Sequence, residues 1–275
     1  MREQRDRLSN TVFVQTDSLH RRRAFTIIEV VSVLAVIVVL AVLLLPTGYR
    51  NRGCVLRSSC VNNLKQASLA YVVWVHDQDQ RNLPFWTPFW SGGTQVPGTL
   101  SSWPAGVTPP SWLGLENQVW FQFAWVSNQL ESPKALVCPS DRLRKPAGDW
   151  SDKGDMGFLN ASYRNQAVSY TLWVDAGYVN GNLSYENCAE YILLSDRHLS
   201  YDGPASTCSS GIAPVREVLH ESTVAGWQPQ SNFGHGGSGN MAFLDGSIAS
   251  VTTPQARALF VYRGETNGAL HYMTP

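Results

Sequence analysis

Six side chains able to ligate a metal or move a proton stand in the C-terminal part of the chain: Asp196, His198, His220, Glu221, His235 and Asp245. Imidazole and carboxylate suit zinc or another divalent ion, and the same set could give a hydrolase its acid and base. The spacing selects neither chemistry. No HExxH sets two histidines on one helical face, no GxSxG supplies a nucleophile elbow, and no glycine-rich phosphate loop is present. The glycines after His235, in HGGSGNMAFLDGSI, suit a turn before a strand, and Asp245-Gly246 suits a tight turn between two strands. A hydrogen bond across that hairpin is the preferred role for His235 and Asp245, ahead of a metal site and well ahead of catalysis. The chain is therefore not expected to be an enzyme or to need a cofactor.

The five cysteines are Cys54, Cys60, Cys138, Cys188 and Cys208, and none forms a CxxC pair, so zinc-ribbon and thioredoxin readings lack support. Their odd number leaves at least one thiol free or intermolecular. In an oxidising compartment Cys188 and Cys208, on either side of RHLSYDGPAST, are the preferred intramolecular pair. Two buried thiols there are an equal alternative, because sequence separation does not fix geometry.

The elements that must position these groups are legible in part. ALVCPSD at 135–141, SYTLWV at 169–174 and EYILLSD at 190–196 have strand composition, and 241–252 predicts two strands joined at Asp245-Gly246. Residues 82–130 contain one charged residue, Glu116, and six tryptophans among many Pro, Gly, Ser and Thr. This stretch is too apolar for a linker and too broken for one helix, so it predicts a folded, loop-rich insertion, with a short helix from Gln118 to Leu130. Its tryptophans are expected in an irregular core, the alternative being a carbohydrate- or protein-binding face.

The N-terminal third is different. Residues 1–23 hold six arginines against three acids, which leaves the remainder with 15 basic and 18 acidic residues, a net of −3 and no footprint for nucleic acid. From Ala24 to Leu45 the chain is apolar except for Thr26, Glu29 and Ser32; as a helix it would rise about 33 Å, enough to span a bilayer core. Arginines just before it predict a cytoplasmic N-terminus and an exported remainder. Apolar residues at Val61, Leu64, Leu69, Val72 and Val73 predict that a helix continues to about residue 77, broken or kinked near Pro46 and Gly48. A carboxylate inside the apolar run, Glu29, calls for a partner or a use.

A basic leader, a small residue, Phe-Thr-Ile-Ile-Glu and an unbroken hydrophobic stretch together resemble the N-terminus of type IV prepilins and type II secretion pseudopilins. The resemblance implies cleavage by a prepilin peptidase between Ala24 and Phe25, methylation of the new N-terminus, and use of Glu29, the fifth mature residue, to neutralise the terminal ammonium of a neighbouring subunit. Ala24 departs from the usual glycine before the cut, which implies slower processing. Cys60, Asn63, Leu64, Lys65 and Gln66 match a Cys-x-x-Asn-Leu-Lys-Gln sequence common in prepilin-like proteins. There Cys60 is either a tether or a small buried residue. His235, Asp245 and Gly246 resemble the His-x9-Asp-Gly region of prepilin-like proteins of planctomycete and verrucomicrobial type, and VCPSD and LLSDRHLS resemble the same head. By analogy with some pseudopilins, a metal at this head would be calcium.

These readings combine into an α+β protein of pilin type: a long N-terminal membrane-spanning helix packed by its exported half on a small antiparallel sheet of three or four strands, with a loop-rich aromatic insertion. The expected organisation is a leader at 1–24, a transmembrane segment at 25–46, an exported helix at 47–80 and a head at 81–275 with its insertion at about 82–130. The expected function is a structural subunit of a type IV pilus-like filament or a type II secretion pseudopilus. The expected partners are the prepilin peptidase, other pilin or pseudopilin subunits and the inner membrane. The expected place is a single pass through the inner membrane, with the N-terminus cytoplasmic and the head periplasmic or extracellular. The rival reading is a membrane-tethered module that binds polysaccharide or a surface through its tryptophans.

Overall fold

The computed structural model describes residues 25–44, 47–78, 82–94, 108, 111, 114–154, 156–176, 178–179, 182–183, 190–201, 217–220, 224–227, 235–263 and 269–275. The leader, Ala24 included, and the proposed pair Cys188 and Cys208 lie outside the described residues. The chain divides into two compact units, residues 1–51 and 52–275.

Helix α1, Ile27–Leu44, opens on a reciprocal cap. Glu29 Oε2 accepts from the Thr26 backbone N–H at 2.8 Å and from the Thr26 hydroxyl at 3.0 Å, while the Glu29 N–H donates back to Thr26 Oγ1 at 3.4 Å. This is the capping-box arrangement, which satisfies backbone donors that a helix start otherwise leaves open. The Thr26 backbone hydrogen bond, then its hydroxyl, holds the Glu29 carboxyl below its ordinary pKa. Thr-Ile-Ile-Glu therefore has a local purpose as a helix start, whatever else Glu29 does.

The membrane expectation is corrected here. Helix α1 has 18 residues, a rise of about 27 Å against the roughly 30 Å of a bilayer core, and its third residue is the charged Glu29. Among the described residues no helix is long and apolar enough to cross a membrane. That finding overturns the transmembrane segment at 25–46 and the single-pass inner-membrane placement with its cytoplasmic N-terminus and exported head.

Helix α2, Thr47–Asp77, ends where spacing anticipated, but its buried face is formed by Cys60, Leu64, Ala67, Ala70, Tyr71, Trp74 and Val75; of the anticipated stripe only Leu64 is buried, Val61 and Val72 are half-buried, and Leu69 and Val73 are exposed. The expected helix over 118–130 is two, α3 at Val119–Trp125 and α4 at Ser127–Leu130, broken at Val126. The chain leaves α4 through Glu131, which takes a positive φ of 55°, and Ser132 is extended because Pro133 follows it.

The strands follow as β1 (Tyr170–Trp173), β2 (Tyr178–Val179), β3 (Asn182–Leu183), β4 (Ile192–Asp196), β5 (Leu199–Tyr201), β6 (Glu217–His220), β7 (Val224–Trp227), β8 (Ser238–Phe243), β9 (Ile248–Thr252) and β10 (Ala269–Met273), with helix α5 (Thr253–Arg263) before the last. Six of them form one sheet in the order β6-β10-β1-β4-β8-β9, antiparallel at every step. The α+β class is thus as expected, with six strands instead of three or four. Two smaller antiparallel pairs, β2 with β3 and β5 with β7, lie outside it. The β8–β9 hairpin turns at Asp245-Gly246 as anticipated, and Gly246 has a φ of 80°, a conformation that side chains with a Cβ rarely adopt.

Alternate side chains on the sheet point to opposite faces, and both faces are covered. Tyr170, Leu172, Leu194 and Ala242 join the core that contains the buried stripe of α2, and Trp173, Met241, Phe243 and Tyr272 join Ala256 and Phe260 of α5 in a second core. Two-sided burial explains why β1 and β4 are buried at every position, their polar Thr171, Ser195 and Asp196 included.

One expected strand is absent. Residues 135–141 are a 3-10 turn, Pro133–Leu136, followed by turns: Pro133 fixes the first residue and Ser132 Oγ caps it by accepting the Lys134 N–H. The insertion is folded, as anticipated. Trp86 is buried and donates to the Val174 carbonyl at 2.7 Å, Thr94 donates to the Gln122 side chain at 2.9 Å, and Phe85, Trp120 and Phe123 are in the core with α2. Trp125 is half-buried, and the side chains of Trp90, Trp103 and Trp112 lie outside the described residues. An array of exposed indoles, which the binding-module reading requires, is not seen among the described residues.

Candidate functional site at a buried cystine and histidine

Four short motifs that are far apart in sequence meet at one end of the sheet. Cys60 of α2 is disulfide-bonded to Cys138, across 78 positions, and both are fully buried. One turn further along α2, Asn63 Nδ2 donates to the Val137 carbonyl at 2.9 Å, so the Cys-x-x-Asn pair holds the 137–141 segment both covalently and by hydrogen bond. The i, i+3 spacing on a helix makes this double attachment geometrically natural.

The next layer is ionic. Asp141 accepts from Arg197 at 2.7 and 3.1 Å, from the Ser169 hydroxyl at 2.9 Å and from the Leu143 N–H at 3.2 Å. Burial works to raise the Asp141 pKa, but the hydrogen bonds and charge of Arg197, helped by Ser169 and Leu143, outweigh it and hold the carboxyl below its ordinary value. Beside it, Asp196 at the end of β4 is fully buried and accepts the backbone N–H of Asn240 at 2.8 Å and its side-chain amide at 2.9 Å, both on Oδ2. Its Oδ1 is buried without a hydrogen bond. Desolvation therefore dominates over the Asn240 hydrogen bonds and raises the Asp196 pKa to about 7. Burial likewise lowers the His198 pKa to about 4.

His235 closes the cluster. Its side chain is only 2% exposed, with Nε2 at 3.7 Å from Asp196 Oδ2 and 3.5 Å from Cys138 Sγ. Burial, and then the charge of Arg57, lowers its pKa. The Ser238 hydroxyl donates to the His235 carbonyl at 2.8 Å and receives a short hydrogen bond from Arg57 of α2, which fixes the turn carrying the imidazole. The ligating atoms of Cys60, Cys138 and His235 all lie within 4.8 Å of one another.

Of the residues singled out from sequence, His235 and Asp196 are brought together with Cys60, while Asp245 sits in the exposed β8–β9 turn, where it accepts the Ser247 N–H at 2.8 Å. The anticipated pairing of His235 with Asp245 is thus replaced by two separate roles: His235 faces Cys138 and Asp196, and Asp245 shapes the turn that Gly246 completes. His220 lies in β6, the edge strand opposite β9, and Glu221 is outside the described residues. Cys138 and Asn240 were not singled out, although Cys138 stands inside the VCPSD motif. No family model matches the chain, and no curated protein and no solved structure matches it.

Proposed function

We propose that this chain is a structural subunit of a type IV pilus-like filament or a type II secretion pseudopilus, cut by a prepilin peptidase between Ala24 and Phe25 and assembled through α1. The observation that carries the reading is the surface of α1. Its large apolar side chains are open all round, from Ile27 at 84% exposure to Val30 at 49%, and its only charge is Glu29. An apolar surface of that size needs a cover, and helices of other copies, packed ridge into groove, would supply one. Glu29 would then be buried, and a buried carboxylate requires a partner. A terminal ammonium on Phe25 of the next subunit has the right charge and, by the resemblance of Phe-Thr-Ile-Ile-Glu to prepilins, the right place. In a lone subunit the two Thr26 donors hold that carboxylate instead.

A pilin-like head agrees with the packing of the α2 stripe into the same core as the antiparallel sheet. The work of such a subunit is mechanical, and the cystine-centred cluster would serve it as a rigid clamp. Glu29→Gln tests the reading: the variant should fold and be cut normally but be lost from the sheared filament fraction, whereas wild-type levels in that fraction would contradict it.

A further inference from the structure

The cluster of Cys60, Cys138, His235 and Asp196 has a second use that the filament reading does not require. We propose that Cys60, Cys138 and His235, with Asp196 beside them, form a redox-gated metal site: a cystine in the oxidised protein, and in the reduced protein a three-ligand site for zinc or a similar divalent ion.

The geometry comes first. A tetrahedral zinc with bonds of about 2.0–2.3 Å keeps its ligand atoms roughly 3.3–3.8 Å apart. One edge of such a tetrahedron already exists, from His235 Nε2 to Cys138 Sγ at 3.5 Å, and the ligating atoms of Cys60, Cys138 and His235 all lie within 4.8 Å of one another. In the oxidised protein the two sulfurs are bonded to each other and cannot ligate. Reduction frees both, and the rotamer freedom of two cysteines lets them separate to ligand spacing. Two thiolates and one imidazole are a donor set that favours zinc over calcium or magnesium, and they leave the fourth position open.

The surroundings agree. The Ser238–Arg57 contact holds the His235 turn, and Asn240 holds Asp196 beside it by two hydrogen bonds, so the imidazole is fixed by neighbours that would not move on reduction. A cation at the cluster would also offset the cost of burying the Asp196 carboxylate beside His235.

The conversion balances. A dithiol attacks the Cys60–Cys138 bond by thiol–disulfide exchange: the cystine takes up two electrons and two protons, and the reductant leaves as a cyclic disulfide. Metal binding then displaces the two thiol protons to solvent, so the oxidised and metal-bound states exclude each other.

The test uses the full chain in detergent, with Co²⁺ as a spectroscopic stand-in for zinc. Protein is denatured and reduced with dithiothreitol, freed of reductant, and refolded under nitrogen with or without Co²⁺, beside an oxidised sample. The expected result is one Co²⁺ bound to the reduced protein, with a thiolate-to-cobalt charge-transfer band and strong tetrahedral d–d absorption, and none bound to the oxidised protein. His235→Ala, checked by circular dichroism in its oxidised form, should weaken Co²⁺ binding by at least about tenfold, since even outer-shell losses cost that much. Binding left intact by His235→Ala would assign the metal to other cysteines and overturn the proposal. So would a reduced protein that folds without taking Co²⁺, or one that Co²⁺ fails to refold.

Discussion

The guanidinium of Arg197 grips the carboxylate of Asp141 through two hydrogen bonds, Nε to Oδ2 at 2.7 Å and Nη2 to Oδ1 at 3.1 Å. Asp141 is fully buried at its side chain and Arg197 is 15% exposed, so the pair belongs to the core more than to the surface. Removing one partner leaves a charge with reduced compensation, which costs about 3 kcal/mol for a pair of this kind. Asp141→Asn should therefore lower stability by about that amount at neutral pH. Because the folded-state pKa of Asp141 is depressed, the stability it contributes is fully present above the unfolded value near 4 and is lost as pH falls through the lower folded value. Urea unfolding of wild type and variant should show the gap at pH 7 narrowing below pH 4; a gap independent of pH would contradict the assignment.

The Cys60–Cys138 bond closes a loop across 78 positions that contains the whole tryptophan-rich insertion. In the chain-entropy account a loop of that length is restrained in the unfolded state by about 4–5 kcal/mol. The double variant Cys60→Ala/Cys138→Ala should lose about 2–5 kcal/mol in denaturant unfolding, with the insertion the first region cut by limited proteolysis. Unchanged stability would show that the bond does not form in the protein.

Gly239 of β8 lies directly against the ring of Trp227, and a Cβ there would fall inside the van der Waals surface of the indole. A rigid aromatic ring cannot yield as a flexible side chain would, so Gly239→Ala should destabilise by about 1–3 kcal/mol. It should also shift the tryptophan fluorescence of the folded state. Equal stability and an unchanged spectrum would place β7 elsewhere.

Gly246 at φ 80° follows Asp245, whose carboxylate accepts the Ser247 N–H. Gly246→Ala should cost about 1 kcal/mol through backbone strain, whereas Asp245→Asn, which keeps the acceptor, should be nearly silent. A large effect of Asp245→Asn on metal binding or assembly would restore Asp245 to the functional site.

The sequence made some of this legible for definite reasons. Apolar spacing located α2 but not its buried face, which is made largely of small and aromatic residues such as Cys60, Ala67, Tyr71 and Trp74, and Asp-Gly located the β8–β9 turn because its backbone demands glycine. The run 135–141 looked like a strand because Ala-Leu-Val is apolar, yet Pro133 and the Ser132 cap start a 3-10 turn there. Edge strand β6 and strand β10 went unseen because EVLH and ALHYM are too short and mixed to show a period. At the site, His235 and Asp196 were visible as chemistry but their partners were not. Nothing in the spacing of Cys60 and Cys138 reveals that Asn63 and the 137–141 segment bring them together. The only hint was that each cysteine lies in a motif of its own. The apolar N-terminal run was visible too, but not that Thr26 caps its helix and places Glu29 in the first turn.

The central claim is that the chain is processed at Phe25 and assembled as a filament subunit. Its most direct test is the N-terminal mass of the protein from cells with and without a prepilin peptidase. The expected result is a chain that starts at a methylated Phe25 only when the peptidase is present. A chain that keeps its residues before Phe25 in both cells would contradict it.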